Sequence, residues 1–450
     1  MSFEGLHISR SGVAASQRAL DVIGHNIANV STPGYSRQRV DQVSTERLGP
    51  SLLLGPGANG SGVGITSVSR TRDAVLDANV RSELGNSANV EVALQTLSQI
   101  EAALGPHSDG LGEALTAFWN GWEELSLDPG SSTARAQVID ASEALSRALG
   151  GAARDVAQIQ AANVASATTK LDAQNASLAE IARLNGEIRA QEAAGDNANG
   201  LKDERDRQID QLASSLGATT HTVADELVNI SIGGFEVVRG TNHSSLSLTG
   251  DPATLQADNG SPISPGGELG ALLVEGSAAA TQVLAELDNL ALSLRDAVNT
   301  QHGLGFDLTG ASGGNVFSAT SASDFTLVTG FTAEMLAASA TGAPADGNHA
   351  LDMAGLRDQS SVNGTLNEQA RSIVGKVGAA VFTAQARVDA NQGVLGALEA
   401  SRGAASGVNL DEELTMLLQY QRSYEASARV MTSVDQMLDV LINRTGLVGR

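Results

Sequence analysis

The chain has 450 residues, a formal net charge of −23, no cysteine and only 3% aromatic residues. That length exceeds one ordinary core and predicts two or three domains. The charge argues against nucleic acid and anionic membrane surfaces as partners, and the missing cysteine removes disulfides, thiolate nucleophiles and thiolate metal ligands. The acidity is uneven, because residues 1–50 hold five Arg against four acids. No run reaches the length of a membrane span. Residues 1–25 lack the basic start, apolar block and small-residue site of a cleaved signal peptide.

In chain order, residues 1–35 open with a helix whose stripe is Leu6, Ser9, Val13, Ser16, Leu20, Ile23, Ile27 and Val30. The spacing alternates three and four, and Pro33 with Gly34 stops it. Residues 36–71 read as a β-rich connector. Gly49-Pro50 and Gly55-Pro56-Gly57 mark turns, and Val63, Ile65 and Val68 alternate after Gly60. These glycines lack the strand, helix and acidic partner of a dinucleotide loop. Residues 72–217 form the first part of a helical domain. Its first helix ends at Gly105-Pro106, and Leu111 to Leu127 carries both Trp119 and Trp122. On an amphipathic helix these make a packing centre rather than a carbohydrate platform. Ser132 to Ala194 reads as one long helix or two, with Gly150-Gly151 as the bend. The charged helix Leu201 to Leu216 predicts a solvated, self-paired face, with a cation site as the alternative.

The period then changes to two. Residues 218–265 form a β unit in which Val228, Ile230 and Ile232 meet Phe235 and Val237 across Gly233-Gly234. Residues 266–408 are the second helical part, with short strands near Val316, Phe325 and Leu327. Thr341 to Gly355 reads as a surface loop, and a long helix follows along Leu366, Ala370, Ile373, Val377, Ala384 and Val388. Residues 409–450 form a C-terminal helix of roughly 50 Å. Its seam is Leu410, Leu414, Leu417, Gln421, Tyr424, Ala428, Met431, Asp435, Leu438 and Ile442. Asn409 and Glu412 read as a capping box, and Arg444 and Gly446 as the stop.

The matching stripes predict that the two end helices pair as a coiled coil, closing the chain on itself or on neighbours; a pair of ordinary core helices is the other reading. The fold class is therefore mainly α with a smaller β part: paired terminal helices, a helical-bundle middle and an inserted β unit. If the stripes are subunit interfaces, the contacts fall on Leu6, Val13, Leu20, Ile23 and Ile27 at one end. At the other they fall on Leu410, Leu414, Leu417, Tyr424, Met431 and Leu438. The polar and small members of both stripes predict ends that order on contact. The seven histidines are scattered, no nucleophile elbow or phosphate loop is present, and no local pattern nominates a carboxylate pair. Neither catalysis, a cofactor nor a metal is expected.

Two motifs carry a resemblance. Asn26-Ile-Ala-Asn29-Val-Ser-Thr32-Pro33-Gly34-Tyr35-Ser36-Arg37 is similar to the N-terminal signature of bacterial flagellar axial proteins. Ser406-Gly407-Val408-Asn409 with Asp411-Glu412-Glu413, then Tyr420-Gln421-Arg422-Ser423-Tyr424, resembles their C-terminal signature. The strong motifs cover roughly the first forty and last forty-five residues. The Tyr35 and Arg37 form resembles the members joining hook to filament more than rod or hook subunits. The resemblance implies a structural role and export through the flagellar type III channel without cleavage. It also implies an extracellular location on the flagellum. The implied partners are copies of the chain, the hook protein, a filament-side junction protein and an export chaperone for the C-terminal helix. A rod or hook subunit, or a cytosolic helical scaffold, are the alternative readings.

Overall fold

The computed structural model describes residues 2–45, 62–105, 110–223, 226–359 and 364–443. The turns expected at Gly49-Pro50 and Gly55-Pro56-Gly57, the residues Gly60 and Pro106, the stop at Arg444 and Gly446 and the side chain of Ile442 lie outside the described residues. The chain is mainly helical, at 67% helix and 12% strand.

The largest core belongs to the middle of the chain. There α2 (Ala74–Ala103), α3 (Leu111–Leu127), α4 (Ser132–Ala193), α7 (Gly276–His302), α8 (Asn348–Gly355) and α9 (Leu366–Ser406) share one hydrophobic cluster. Each starts where its sequence allows. Asp73 accepts from the Val75 and Leu76 amides, Ser131 caps α4, and Thr365 with Glu368 forms a full capping box for α9. The few aromatics converge here. Phe118 stacks edge-on to Trp119 at 4.7 Å and lies 5.6 Å from Phe317, which sits 4.6 Å from Phe325. Such contacts add about 0.5–1.5 kcal/mol each beyond the area they bury.

The second cluster joins α4 and α5 (Asn199–Leu216) to the β unit. Strands β3 (Thr219–Thr222), β4 (Val228–Ile232), β5 (Phe235–Arg239) and β6 (Asn242–His243) form one antiparallel sheet. A smaller sheet holds β7 (Leu246–Thr249), β8 (Thr254–Ala257) and β9 (Pro262–Ile263). Gly233 and Gly234, at φ of 54° and 81°, make the tight turn that sets Ile232 opposite Phe235. α6 (Gly267–Gly270) leads through a π-turn (Ala271–Glu275) into α7.

Three expectations need correction. Gly150-Gly151 is no bend, because α4 runs unbroken for 62 residues; Gly150 admits the backbone of Ala322 against the helix instead. Within Thr341–Gly355 the second half is helix α8, not loop, because His349, Ala350 and Met353 turn inward. The charged helix α5 is not a solvated face. Its Asp203 and Arg205 are buried, and its three aspartates serve arginines from other elements; Glu204 and Arg207 alone pair within the helix.

Candidate assembly site: the lock between the chain ends

α1 (Ser2–Ala28) and α10 (Leu410–Asn443) run antiparallel along one another. Gly5 faces Val434, Gly12 faces Ser427, the Ser16 hydroxyl donates to Ser423, and Asn26 reaches Glu413. The seam is narrow because its residues are small. Ser9, Ala15, Ser16 and Ala19 are buried in it, and a Cβ added at Gly12 would sit 2.8 Å from the Ser427 hydroxyl. Small side chains let the two axes approach but bury little area.

The expected interface residues divide. Ile23 is buried; Leu6, Val13, Leu20 and Ile27 are half-buried, as are Leu417, Met431 and Leu438. Leu410, Leu414 and Tyr424 are exposed, at 45%, 50% and 38%. The row of α10 that meets α1 is Glu413, Met416, Tyr420, Ser423, Ser427 and Val434, one step round from the leucine row. A strict 3.5-residue count drifts round a 3.6-residue helix, so the heptad row is half-buried at Leu417, Met431 and Leu438 but runs outside the contact at Leu410, Leu414 and Tyr424. So one stripe of α10 is covered by α1, and apolar side chains on its flanks are left exposed.

At the end of this seam lies a polar lock built from both motifs. β1 (Gln38–Ser44) and β2 (Val63–Arg70) form a hairpin along α1. The Asn26 carboxamide closes a ring with Gln38, donating to its carbonyl at 2.9 Å and accepting from its amide at 3.0 Å. Its oxygen also accepts from the Tyr35 hydroxyl at 2.7 Å, and its nitrogen donates to Glu413 at 3.1 Å. Glu413, fully buried, accepts from Arg37 Nε at 2.7 Å, while Glu412 takes the Arg37 Nη1 at 2.8 Å. Glu412 is thus an ion-pair partner rather than half of a capping box; the Asn409 side chain alone caps the Asp411 and Glu412 amides. The Arg37 amide donates to the Ser406 carbonyl, tying the entry of α10 to the exit of α1.

The remaining motif residues shape the turn. Asn29 donates to the His25 carbonyl, Thr32 donates to the Asn29 side chain, and Tyr35 closes on the Thr32 carbonyl. Pro33 is exposed at the tip, and Gly34 takes a φ of +79°. Burial, with the Asp203 and Glu413 carboxylates nearby, pushes the Tyr35 phenol well above its ordinary range, so it stays a donor.

A second layer joins the lock to the middle domain. The Ser36 hydroxyl donates to Asp203 at 2.8 Å, and Arg70 bridges Asp203 and Asp206 at 2.8 Å each. Arg81 bridges Asp206 and Asp210, and Arg402, just before α10, also reaches Asp210. Burial pushes Asp206 up, but Arg70, Arg72 and Arg81 outweigh it and hold the carboxyl below its usual range. Every carboxylate named here has an arginine or amide partner, so the arrangement suits holding rather than proton transfer. Among the described residues no group of three His, Cys, Asp or Glu converges as a metal site, and no helix is long and apolar enough to cross a membrane.

Sequence reasoning missed Glu413 and the Asp203-Asp206-Asp210 face as joints. The signals were present: Glu413 continues the row of Met416 and Tyr420, and the three aspartates recur at three and four residues.

Comparison with known proteins agrees with this layout. Residues 97–317 match the family described as flagellar hook-associated protein FlgK helical domain. Residues 402–444 match the flagellar basal body rod FlgEFG protein C-terminal family, and residues 6–35 the flagella basal body rod protein family. The flagellar hook-associated protein 1 of Bacillus subtilis is 29% identical, the match covering 100% of this chain and 99% of that one. That of Salmonella typhimurium is 28% identical over 68% of this chain and 58% of its own. The structure of the flagellar hook junction protein FlgK from Burkholderia pseudomallei superposes with a TM-score of 0.66 at 14% identity, covering 72% of this chain and 99% of that one. Along its whole length, then, the chain is similar to flagellar hook-associated protein 1.

Proposed function

We infer that this chain is a structural subunit of the flagellum, at the junction of hook and filament, and that its terminal helices carry the contacts between subunits. One observation supports the second part above the rest. One stripe of α10 is used up against α1, while on its two flanks Leu410, Leu414, Leu418, Tyr424, Val430 and Met437 remain in solvent along a helix of about 50 Å. Large apolar side chains left bare on both flanks of so long a helix on an exported subunit are a surface for neighbours. The partners are copies of the chain, hook protein on one side and a filament-side junction protein on the other, with an export chaperone covering α10 beforehand. Export is unfolded, through the type III channel, to the cell exterior. The six-part division at residues 35, 71, 217, 265 and 408 belongs to this reading.

The test is Leu414→Asp. A carboxylate at half-exposed Leu414 leaves the monomer intact but is stranded out of water on assembly. Junction formation and motility should be lost, while secretion into the medium and the thermal melt stay as in the parent chain. Glu425→Ala, which lies off the stripe against α1 and removes only a solvated charge, should change neither. A lowered melt for Leu414→Asp would place the row in the monomer's own fold and sink the reading.

A further inference from the structure

Six asparagines of this chain are followed by glycine, which has no side chain to block its own backbone nitrogen from attacking the preceding carboxamide. Asn59 and Asn363 lie outside the described residues. The other four sit in different surroundings. Asn185, wholly buried in α4, donates to the Val228 and Gly240 carbonyls and accepts from Arg205. Asn199, at the start of α5, is buried and donates to the Val68 carbonyl and the Gln38 side chain. Asn120 is exposed, but it lies inside α3, where the helix ties up the Gly121 amide.

Asn259 has none of these restraints. It is exposed in the turn between β8 and β9. Gly260 takes a φ of +79°, and a Cβ added there would meet nothing within 4 Å, so the turn is open on that side. One surface hydrogen bond holds the Gly260 amide, to the Ala257 carbonyl at 2.8 Å. The Ser261 amide donates to Asn259 Oδ1 at 3.0 Å. That bond draws electrons from the carboxamide carbon and stabilises the negative charge that develops on the oxygen during attack.

We propose that Asn259 is a site of spontaneous deamidation, with water as the co-reactant. The Gly260 nitrogen gives up its proton and bonds to Asn259 Cγ. The Cγ–Nδ2 bond breaks, and the nitrogen leaves as ammonia with the proton returned to it. Water then opens the resulting succinimide. Addition at Cγ gives aspartate, and addition at the main-chain carbonyl gives isoaspartate; nothing is oxidised or reduced. Either product adds a negative charge to the turn. Isoaspartate also routes the main chain through Cβ and lengthens the turn that sets Ile263 opposite Leu255, both buried. β9 has only two residues, so its pairing is the first to loosen. The change needs no enzyme and accumulates with the age of the molecule.

The experiment holds the full chain, folded, in warm and mildly alkaline buffer and follows each Asn-Gly pair by peptide mass spectrometry. Methylation by an isoaspartate methyltransferase is the second readout. Acid should appear at Asn259 about tenfold or more faster than at Asn120, Asn185 or Asn199, where reaction waits on opening of a helix or a buried network. In the urea-unfolded chain the four should react at similar rates, because the fold makes the choice. Asn259→Gln, whose longer side chain closes a ring far less readily, should remove the methylation that maps to this turn and leave the thermal melt as in the parent. If Asn259 stays amidated in the folded chain while reacting in the unfolded one, the Ala257 bond protects the turn and the proposal is overturned. Acid appearing at Asn120 as fast as at Asn259 overturns it as well.

Discussion

The middle domain and the terminal pair are both built from long helices, yet they are stabilised differently. In the middle, Trp119, Trp122, Phe118, Leu145 and Leu149 are almost wholly withdrawn from water, and four other helices share their cluster. In the terminal pair serine, glycine and alanine share the seam with a few larger side chains such as Ile23 and Val434, and α10 keeps apolar side chains outside. Burying large side chains yields about 1.5–3 kcal/mol each, which small ones cannot match. The middle therefore stands by itself. The ends have one specific joint, the lock at Glu413, and an incomplete surface, the arrangement suited to a part finished by its neighbours.

The sharpest way to break this contrast is Trp122→Ala. Trp122 is wholly buried and touches Phe118 and His302 edge-on. Its loss should cost about 3–5 kcal/mol, or roughly 10 °C in the melt. The comparison predicts that this loss falls on the middle domain. A melt that barely moves would show the aromatic cluster is not the centre of stability.

The matching change at the ends is Arg37→Ala. It leaves Glu413 buried with only the Asn26 amide, and removing one partner of a buried pair costs about 3–5 kcal/mol. The cost should be local. Hydrogen exchange and limited proteolysis should show α10 released early, with the main melt unchanged. If the whole chain melts lower instead, the ends and the middle are one cooperative unit.

Acid offers a milder separation. His302 donates from Nδ1 to the Gly314 carbonyl, and its Nε2 accepts from the Ala337 amide, so the buried ring has no place for a second proton. Burial first, with His349 nearby, pushes it down to about 4, and His349 itself is lowered by burial. Both rings are held neutral in the fold, so the unfolded chain binds more protons. Their stabilisation is fully present above about pH 6.5 and is lost as pH falls through about 4, on the order of 3 kcal/mol for His302. The middle domain's melt should fall across that window, and His302→Gln should flatten the slope.

How much of this could be read from sequence follows from what periodicity measures. It found the core stripe of α9, the hairpin at Gly233-Gly234 and the aromatic centre, because apolar residues there repeat at the period of their element. On α10 it ranked the exposed Leu414 with the half-buried Leu417, Met431 and Leu438, and it passed over Glu413, Ser423 and Ser427, whose contacts with α1 hydrophobicity does not report. It also took Asp203, Arg205 and Asp206 as self-paired. Their partners, Arg70 and Arg81, lie more than a hundred residues away, and no local spacing reports that. The motif Asn26 to Arg37 marked the lock, but its chemistry depends on Glu413 at the other end of the chain.

The smallest effect expected is at Gly34, where two causes can be separated. The φ of +79° is unfavourable for a β-branched residue, by about 1–2 kcal/mol. A Cβ there would also meet Arg207 Cγ and Cδ at 2.6 Å, but that side chain is half in solvent and can swing away. Strain of the backbone should therefore dominate over the clash. Gly34→Val should loosen the turn by about 1 kcal/mol or more, seen as faster exchange of the Tyr35 and Arg37 amides, with the middle domain melting as before. Adding Arg207→Ala should recover little. If it recovers most of the loss, the clash is the cause, and the turn's conformation does not require glycine.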